Sequence, residues 1–234
     1  MEWSFVENYI VCKFYLSHRD SWKHNIDEVM DELNSHDFGF REKGSVKMCL
    51  QNVESLCTGK GLSHASKQVK PIYSALTHRN EQSLFYTDLQ AYIKENYVSS
   101  ELNNSLTFST SNLTGFLYTP QKLGPSFQEV LFEFIDRLEL KDSEVYNSCY
   151  VRKDTFSHIR KGERGVSKKT VKQLCFGLKL SYDDAVVLME SAGYAFSNND
   201  LSDVIVAYYL KNKYYDIHDA NIALYENKAE LLFC

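Results

Sequence analysis

The chain is poor in chain-breaking residues: of 234 residues, three are Pro and ten are Gly. Turn-rich β architectures use more of both. That scarcity, with few alternating β-branched runs, points to a mainly α protein. No two of the six cysteines (Cys12, Cys49, Cys57, Cys149, Cys175, Cys234) form a C-x-x-C pair. No Cys/His cluster has the spacing of zinc ligands, so no metal is expected. Long apolar runs are missing too. None approaches a transmembrane length. The stretch Trp3–Leu16 is interrupted by Glu7, Asn8 and Lys13, unlike a signal peptide. The expectation is a cytoplasmic protein with reduced thiols and no membrane partner. A P-loop, a Gly-rich dinucleotide turn and a Ser-His-Asp arrangement are all absent, so no cofactor is expected.

What remains is an ordinary globular composition, 44% hydrophobic and 24% charged. Sixteen Tyr and fourteen Phe are a high aromatic load, most of which must enter a core. The length allows one domain or two. Apolar spacing predicts a first helix over Trp3–Leu16, with Trp3, Val6, Ile10 and Phe14 inward. Asn25 and Glu28 are spaced as a capping box for a helix to about Asn34. A third helix opens at Gly44-Ser45, with Val46, Leu50, Val53, Leu56 and Cys57 on one side and Gly59 beyond its end. Pro71 suits the first turn of the next helix. Another runs over Leu84–Tyr97.

Ser99–Pro125 changes character, being rich in Ser, Thr and Asn. We place a linker at 99–125, read either as a disordered spacer or as a short hairpin. It separates an N-terminal helical domain (1–98) from a C-terminal one (126–234). The second domain opens at Ser126 with Glu129 three residues on. A strongly periodic helix follows, carrying Phe127, Val130, Leu131, Phe134, Ile135 and Leu138. Ser181 caps a later helix that ends at Gly193. Two more helices, Leu201–Asn212 and about His218–Asn227, add a layer that completes a core or forms a homodimer contact.

Charge singles out one window. Val151–Lys179 holds nine basic residues against Asp154 and Glu163, a net of +7. The whole chain is −5, so the remainder is −12. A concentrated positive segment on an acidic chain is the footprint of a polyanion site. Phe156 and Ile159 share one face of a helix over Lys153–Lys161, turning Asp154, Thr155, Ser157, His158 and Lys161 outward.

The run CYVRKDTFSHIRKGERGVSKKTVKQLCFGLKLS resembles the helix-turn-helix of the λ-repressor/Xre class, over about Ser126–Ala192. Cys149 stands at the family's Ala and Val151 at its Val. Thr155, Phe156, Ser157 and Ile159 match the Thr, apolar anchor, Ser and last Ile. Gly162 matches the loop Gly and Ser167 the capping Ser. Three positions depart: Tyr150 replaces the turn Gly, Tyr146 a small residue, and Arg152 the Ser cap. The resemblance implies a five-helix domain, followed here by the two added helices. It implies a non-enzymatic DNA-binding regulator of transcription. In it Lys153, Thr155, Ser157, His158 and Lys161 face bases, and Arg160, Arg164, Lys168, Lys169 and Lys172 hold phosphates, with Arg152 at the helix start.

The N-terminal half resembles N-terminal domains found ahead of nuclease modules in phage-related proteins, on Trp3, Arg41, Ser45, Val46 and Asn52. It is read as a plain helical bundle or as a second helix-turn-helix presenting Arg41, Lys43, Lys47 and Gln51. Two further functions stay open. The acidic remainder and Tyr146/Tyr150 suit a protein-interaction module of phage or mobile-element origin, a defence component or an inhibitor of a host machine. Arg152 and His158 form an Arg-x5-His pattern that resembles the catalytic motif of HEPN ribonucleases, which keeps RNA as a third target. Asp136, Glu139 and Lys141 mimic a metal-nuclease pattern, but at a helix end rather than at converging strand ends.

Overall fold

A computed structural model describes residues 3–36, 41–59, 69–81, 83–98, 124–163 and 165–234. The protein is mainly α: the described residues form twelve helices and no strand. Most of the 99–125 segment, with its spacer and hairpin readings, lies outside the described residues. The chain divides into two compact units, Met1–Asp88 with His218–Cys234, and Leu89–Ile217.

In the first unit, Ser4 and Glu7 close a capping box that starts α1 (Phe5–Ser17). This helix packs on α2 (Ile26–Asn34), α3 (Lys43–Thr58) and α4 (Val69–Glu81). The spacing predicts one buried stripe; instead α1 is buried on nearly every side from Phe5 to Tyr15, as a central helix must be. That places Glu7 inside, 2% exposed, where an unpaired carboxylate would be very costly. Arg41 neutralises it in a two-pronged pair, Nε to Oε1 at 2.6 Å and Nη2 to Oε2 at 2.9 Å. Arg41, read from the sequence as an exposed contact, is therefore an internal counter-ion. Its guanidinium also covers the Trp3 ring at 5.0 Å.

The helix α5 (Ser83–Asn96) crosses the division, and α12 (Ile217–Glu226) falls almost wholly in the first unit. Arg79 explains the placement of α12: its Nε meets Asp219 Oδ1 at 2.7 Å and its Nη1 reaches Glu226. Tyr86 Oη donates to the other Asp219 oxygen at 2.7 Å, and Tyr9 Oη to Glu226 at 2.9 Å.

The second unit contains α6 (Phe127–Arg137), α7 (Asp142–Ser148), α8 (Lys153–Lys161), α9 (Lys168–Gly177), α10 (Tyr182–Ser191) and α11 (Leu201–Lys211). Ser126 and Glu129 form the expected capping box on α6, and Ser167 and Ser181 cap α9 and α10. Helix α10 packs on α6, α9 and α11, and α9 on α7. The α7–α9 approach depends on Gly177: a Cβ there would lie 2.7 Å from Cys149 Cβ. Residues 202–210 of α11 and 217–224 of α12 are each less than a tenth exposed.

Candidate nucleic-acid interface

Two short helices and a tight turn build the site. Helix α7 ends at Cys149, and Tyr150 takes the left-handed conformation at φ 57°. That conformation costs an L-residue with a side chain about 1–2 kcal/mol. The surroundings hold it there. Val151 N–H donates to Tyr146 O at 3.1 Å. Gln173 of α9 donates from Nε2 to the carbonyls of Cys149 (3.1 Å) and Tyr150 (3.4 Å). Tyr150 is half-buried, and that burial, with the negative charge of Asp216, pushes its phenol pKa up. Tyr146 lies against Phe156, ring centroids 5.8 Å apart, filling the space between α7 and α8.

Helix α8 then seats Phe156 and Ile159, 2% and 3% exposed, in the core, as their spacing predicts. Its end is a left-handed Gly162 at φ 66°, whose N–H reaches back to the carbonyls of His158 and Ile159. A cleft of about 390 Å³ runs between α7 and α8. Lys141, Ser143, Lys153, Ser157 and Arg160 line it, over Tyr146 and Phe156. On the other flank of α8, Thr155 and His158 face Ser167 and Thr170 across a smaller hollow of about 200 Å³.

The basic residues do not share one fate. Arg152, Lys153 and Lys161 are exposed, as is Ser157 between them. Among the described residues Lys161 has one ion-pair partner, Glu163, at 3.7 Å. Glu163 also accepts from His158 Nδ1 at 2.8 Å, and that hydrogen bond, helped by the Lys161 charge, holds its carboxyl below the usual range. Thr155 and His158 are half-exposed. Arg160 is paired with Asp142 of α7, its guanidinium 5.0 Å from the Phe132 ring centre. Lys169 is half-exposed. Arg164 lies outside the described residues.

Lys168 and Lys172 turn away from this surface, contrary to the phosphate-holding role expected of them. Lys172 is 1% exposed. Its Nζ reaches Asp203 Oδ1 at 2.6 Å, Ser202 Oγ at 3.0 Å and Asp200 Oδ2 at 3.6 Å. Lys168 Nζ pairs with Asp203 and lies 3.4 Å from Asp200. Asp203 is itself 0% exposed. Burial would lower the Lys168 pKa, but the Asp203 hydrogen bond and the two carboxylate charges outweigh it and raise the value. Burial likewise works to raise the Asp200 carboxyl, and the charges of Lys172 and Lys168 carry it below its usual range. These four charges fasten α9 to the start of α11.

The two residues of the Arg-x5-His pattern sit at different places on α8. Arg152 is the N-cap of α8, while His158 lies nearly two turns on, at about 100° per residue, and is committed to Glu163. The exposed rim also holds Ser143, which the sequence reading passed over, and Lys141, which it placed only in the metal-nuclease pattern. Their signal was weak: Lys141 sits in a mixed-charge stretch, outside the basic window. Among the described residues no group of acidic, His or Cys side chains could hold a metal ion, and no helix is long and apolar enough to cross a membrane. No protein-family model, curated protein or solved structure matches the chain.

Proposed function

We propose that the second unit is a helix-turn-helix nucleic-acid reader of the transcriptional-regulator type, with duplex DNA as its target. One observation carries the reading. Helix α8 is anchored by Phe156 and Ile159 and displays Lys153, Ser157 and Lys161, four residues apart, on its outer side. A helix so presented can enter a major groove, with lysine and hydroxyl groups within reach of base edges. Arg152 at its start, Lys141 across the α7–α8 cleft and Lys169 on α9 are the phosphate contacts this docking would use. Lys168 and Lys172 are not part of it.

The test is duplex binding followed by fluorescence anisotropy across a salt series. Affinity falls steeply with salt, and Arg152→Ala, which removes one of these phosphate contacts, reduces the log–log slope by about one. Binding that ignores salt, or none at all, sinks the reading. A protein-interaction module of phage or mobile-element origin is the second reading. The internal pairing of Arg160, Lys168 and Lys172 favours it, because it lowers the positive field offered to a polyanion. Under it the chain retards no DNA and binds one protein stoichiometrically.

A further inference from the structure

A second opening lies in the first unit, between the segment leading into α2 and the first two turns of α3. It encloses about 660 Å³, inside the range of about 300–1,000 Å³ typical of small-molecule sites. Trp22 and Ile26 form its inner wall, 2% and 6% exposed. Lys43, Lys47 and Gln51 line it at four-residue intervals along α3, and Lys23 and His24 line the facing edge.

The charges here are exposed in a way that those of the α9–α11 clamp are not. Lys43 is paired with Asp27, but both side chains are more than half exposed. Lys23 stands 3.7 Å from Glu54, itself one-third exposed. Such exposed pairs are worth little, about 0–1 kcal/mol, and exchange partners readily. The side chains of Lys47, His24 and Gln51 have no hydrogen bond or ion pair among the described residues. Three lysines and one carboxylate, Asp27, thus line an opening with an apolar wall, beside an amide and an imidazole that can each donate and accept.

We infer that this opening binds a nucleoside phosphate: Lys23, Lys43 and Lys47 hold the phosphate oxygens, and His24 and Gln51 meet the sugar or base against Trp22 and Ile26. A bare phosphate would use the cations and leave most of the volume and the wall unfilled. Asp27 is the built-in competitor, holding Lys43 until an anion displaces it. The site is separate from α8 and does not depend on the DNA reading.

The experiment titrates the full chain with ADP by calorimetry, with inorganic pyrophosphate as the second arm. A Trp3→Phe variant leaves Trp22 as the sole tryptophan reporter. ADP should saturate one site and perturb Trp22 emission, with pyrophosphate weaker by about tenfold. Lys47→Glu should weaken ADP by about tenfold or more, and Asp27→Asn should tighten it severalfold, since like and opposite charges exchange places at the anion. Both positions are exposed, so both variants fold. Lys153→Glu should leave ADP binding unchanged, which separates this site from the α8 surface. No saturable ADP binding, pyrophosphate binding as tight as ADP, or an affinity indifferent to Lys47→Glu overturns the proposal.

Discussion

Lys153 and Lys161 on α8 stand in solvent, while Lys168 and Lys172 on α9, a few residues further along, are drawn into contact with Asp200 and Asp203. In the sequence these four lysines belong to a single basic segment. In the structure half of them form a surface and half form a fastening. The difference lies in what approaches from elsewhere. Helix α8 meets the core through two apolar residues and keeps its polar side open. Helix α9 is buried along most of its length, from Val171 to Gly177, so any lysine on it must find a partner or avoid the interior. A charge tally over a window counts both kinds alike. What a polyanion feels is the charge left after internal pairing.

The largest effect expected from this contrast is on stability. Lys172→Met removes the innermost cation and leaves Asp203, fully buried, with Lys168 as its one ion-pair partner among the described residues, beside the Ser197 N–H that donates to it at 2.8 Å. Breaking one side of a buried pair costs about 3–5 kcal/mol. The urea midpoint should fall accordingly, while the salt slope of duplex binding by the folded protein stays as in the wild type. A variant of unchanged stability that loses DNA affinity would erase the distinction between the two lysine pairs.

Next comes the seat beneath the turn. Gly177→Ala places a methyl group 2.7 Å from Cys149 Cβ, and overpacking of this kind costs about 1–3 kcal/mol. Since α7 and α9 must part to admit it, Gln173 should loosen its hold on the Cys149 and Tyr150 carbonyls. Amide exchange at Val151, whose N–H closes the turn on Tyr146, should then quicken relative to α6.

The same comparison explains what could be read from the chain alone. Helices with their own start signals were legible: Ser126 and Glu129, or Ser181, announce a helix locally, and Phe156 and Ile159 share a face by spacing alone. The helical class followed from such patterns. The site was legible only in part. The outward side of α8 needs nothing beyond its own periodicity, so Lys153, Ser157 and Lys161 emerged as exposed. The fates of Arg160, Lys168 and Lys172 depend on carboxylates 18 to 35 residues away, and no local pattern carries that information. Arg41 and Glu7 repeat the point across 34 residues. Glycine at 177 was silent for the same reason: its lack of a side chain matters only once Cys149 lies against it.

On the exposed side the expected change is one of affinity. Lys153→Glu replaces a cation at the start of α8 by an anion and should weaken duplex binding by about tenfold. The thermal midpoint should hardly move, because exposed substitutions away from packing usually stay within about 0.5 kcal/mol. Lys168→Met should do the reverse, costing stability and sparing affinity. If the two variants behave alike in both measurements, α8 and α9 do not divide the labour as proposed.

The smallest effect is a pH dependence confined to the fastening. Lys168 has a folded pKa raised above its ordinary 10.5. Its stabilising contribution is therefore complete below that value and is lost as pH rises through the folded pKa. Asp200 has a folded pKa below its ordinary 3.8, so its contribution is present above that value and is lost as pH falls through the folded pKa. Between the two limits neither group makes stability vary. Other lysines and tyrosines titrate in the alkaline range as well, so the informative quantity is a difference between variants. The stability gap between wild type and Lys168→Met, measured by urea unfolding at several pH values, should be flat around neutrality and narrow above about pH 10.5. Lys153→Met, whose side chain is exposed and outside the fastening, should show no such narrowing. A gap that persists undiminished in alkali would mean that the Lys168 ammonium contributes through packing of its stem rather than through Asp203 and Asp200.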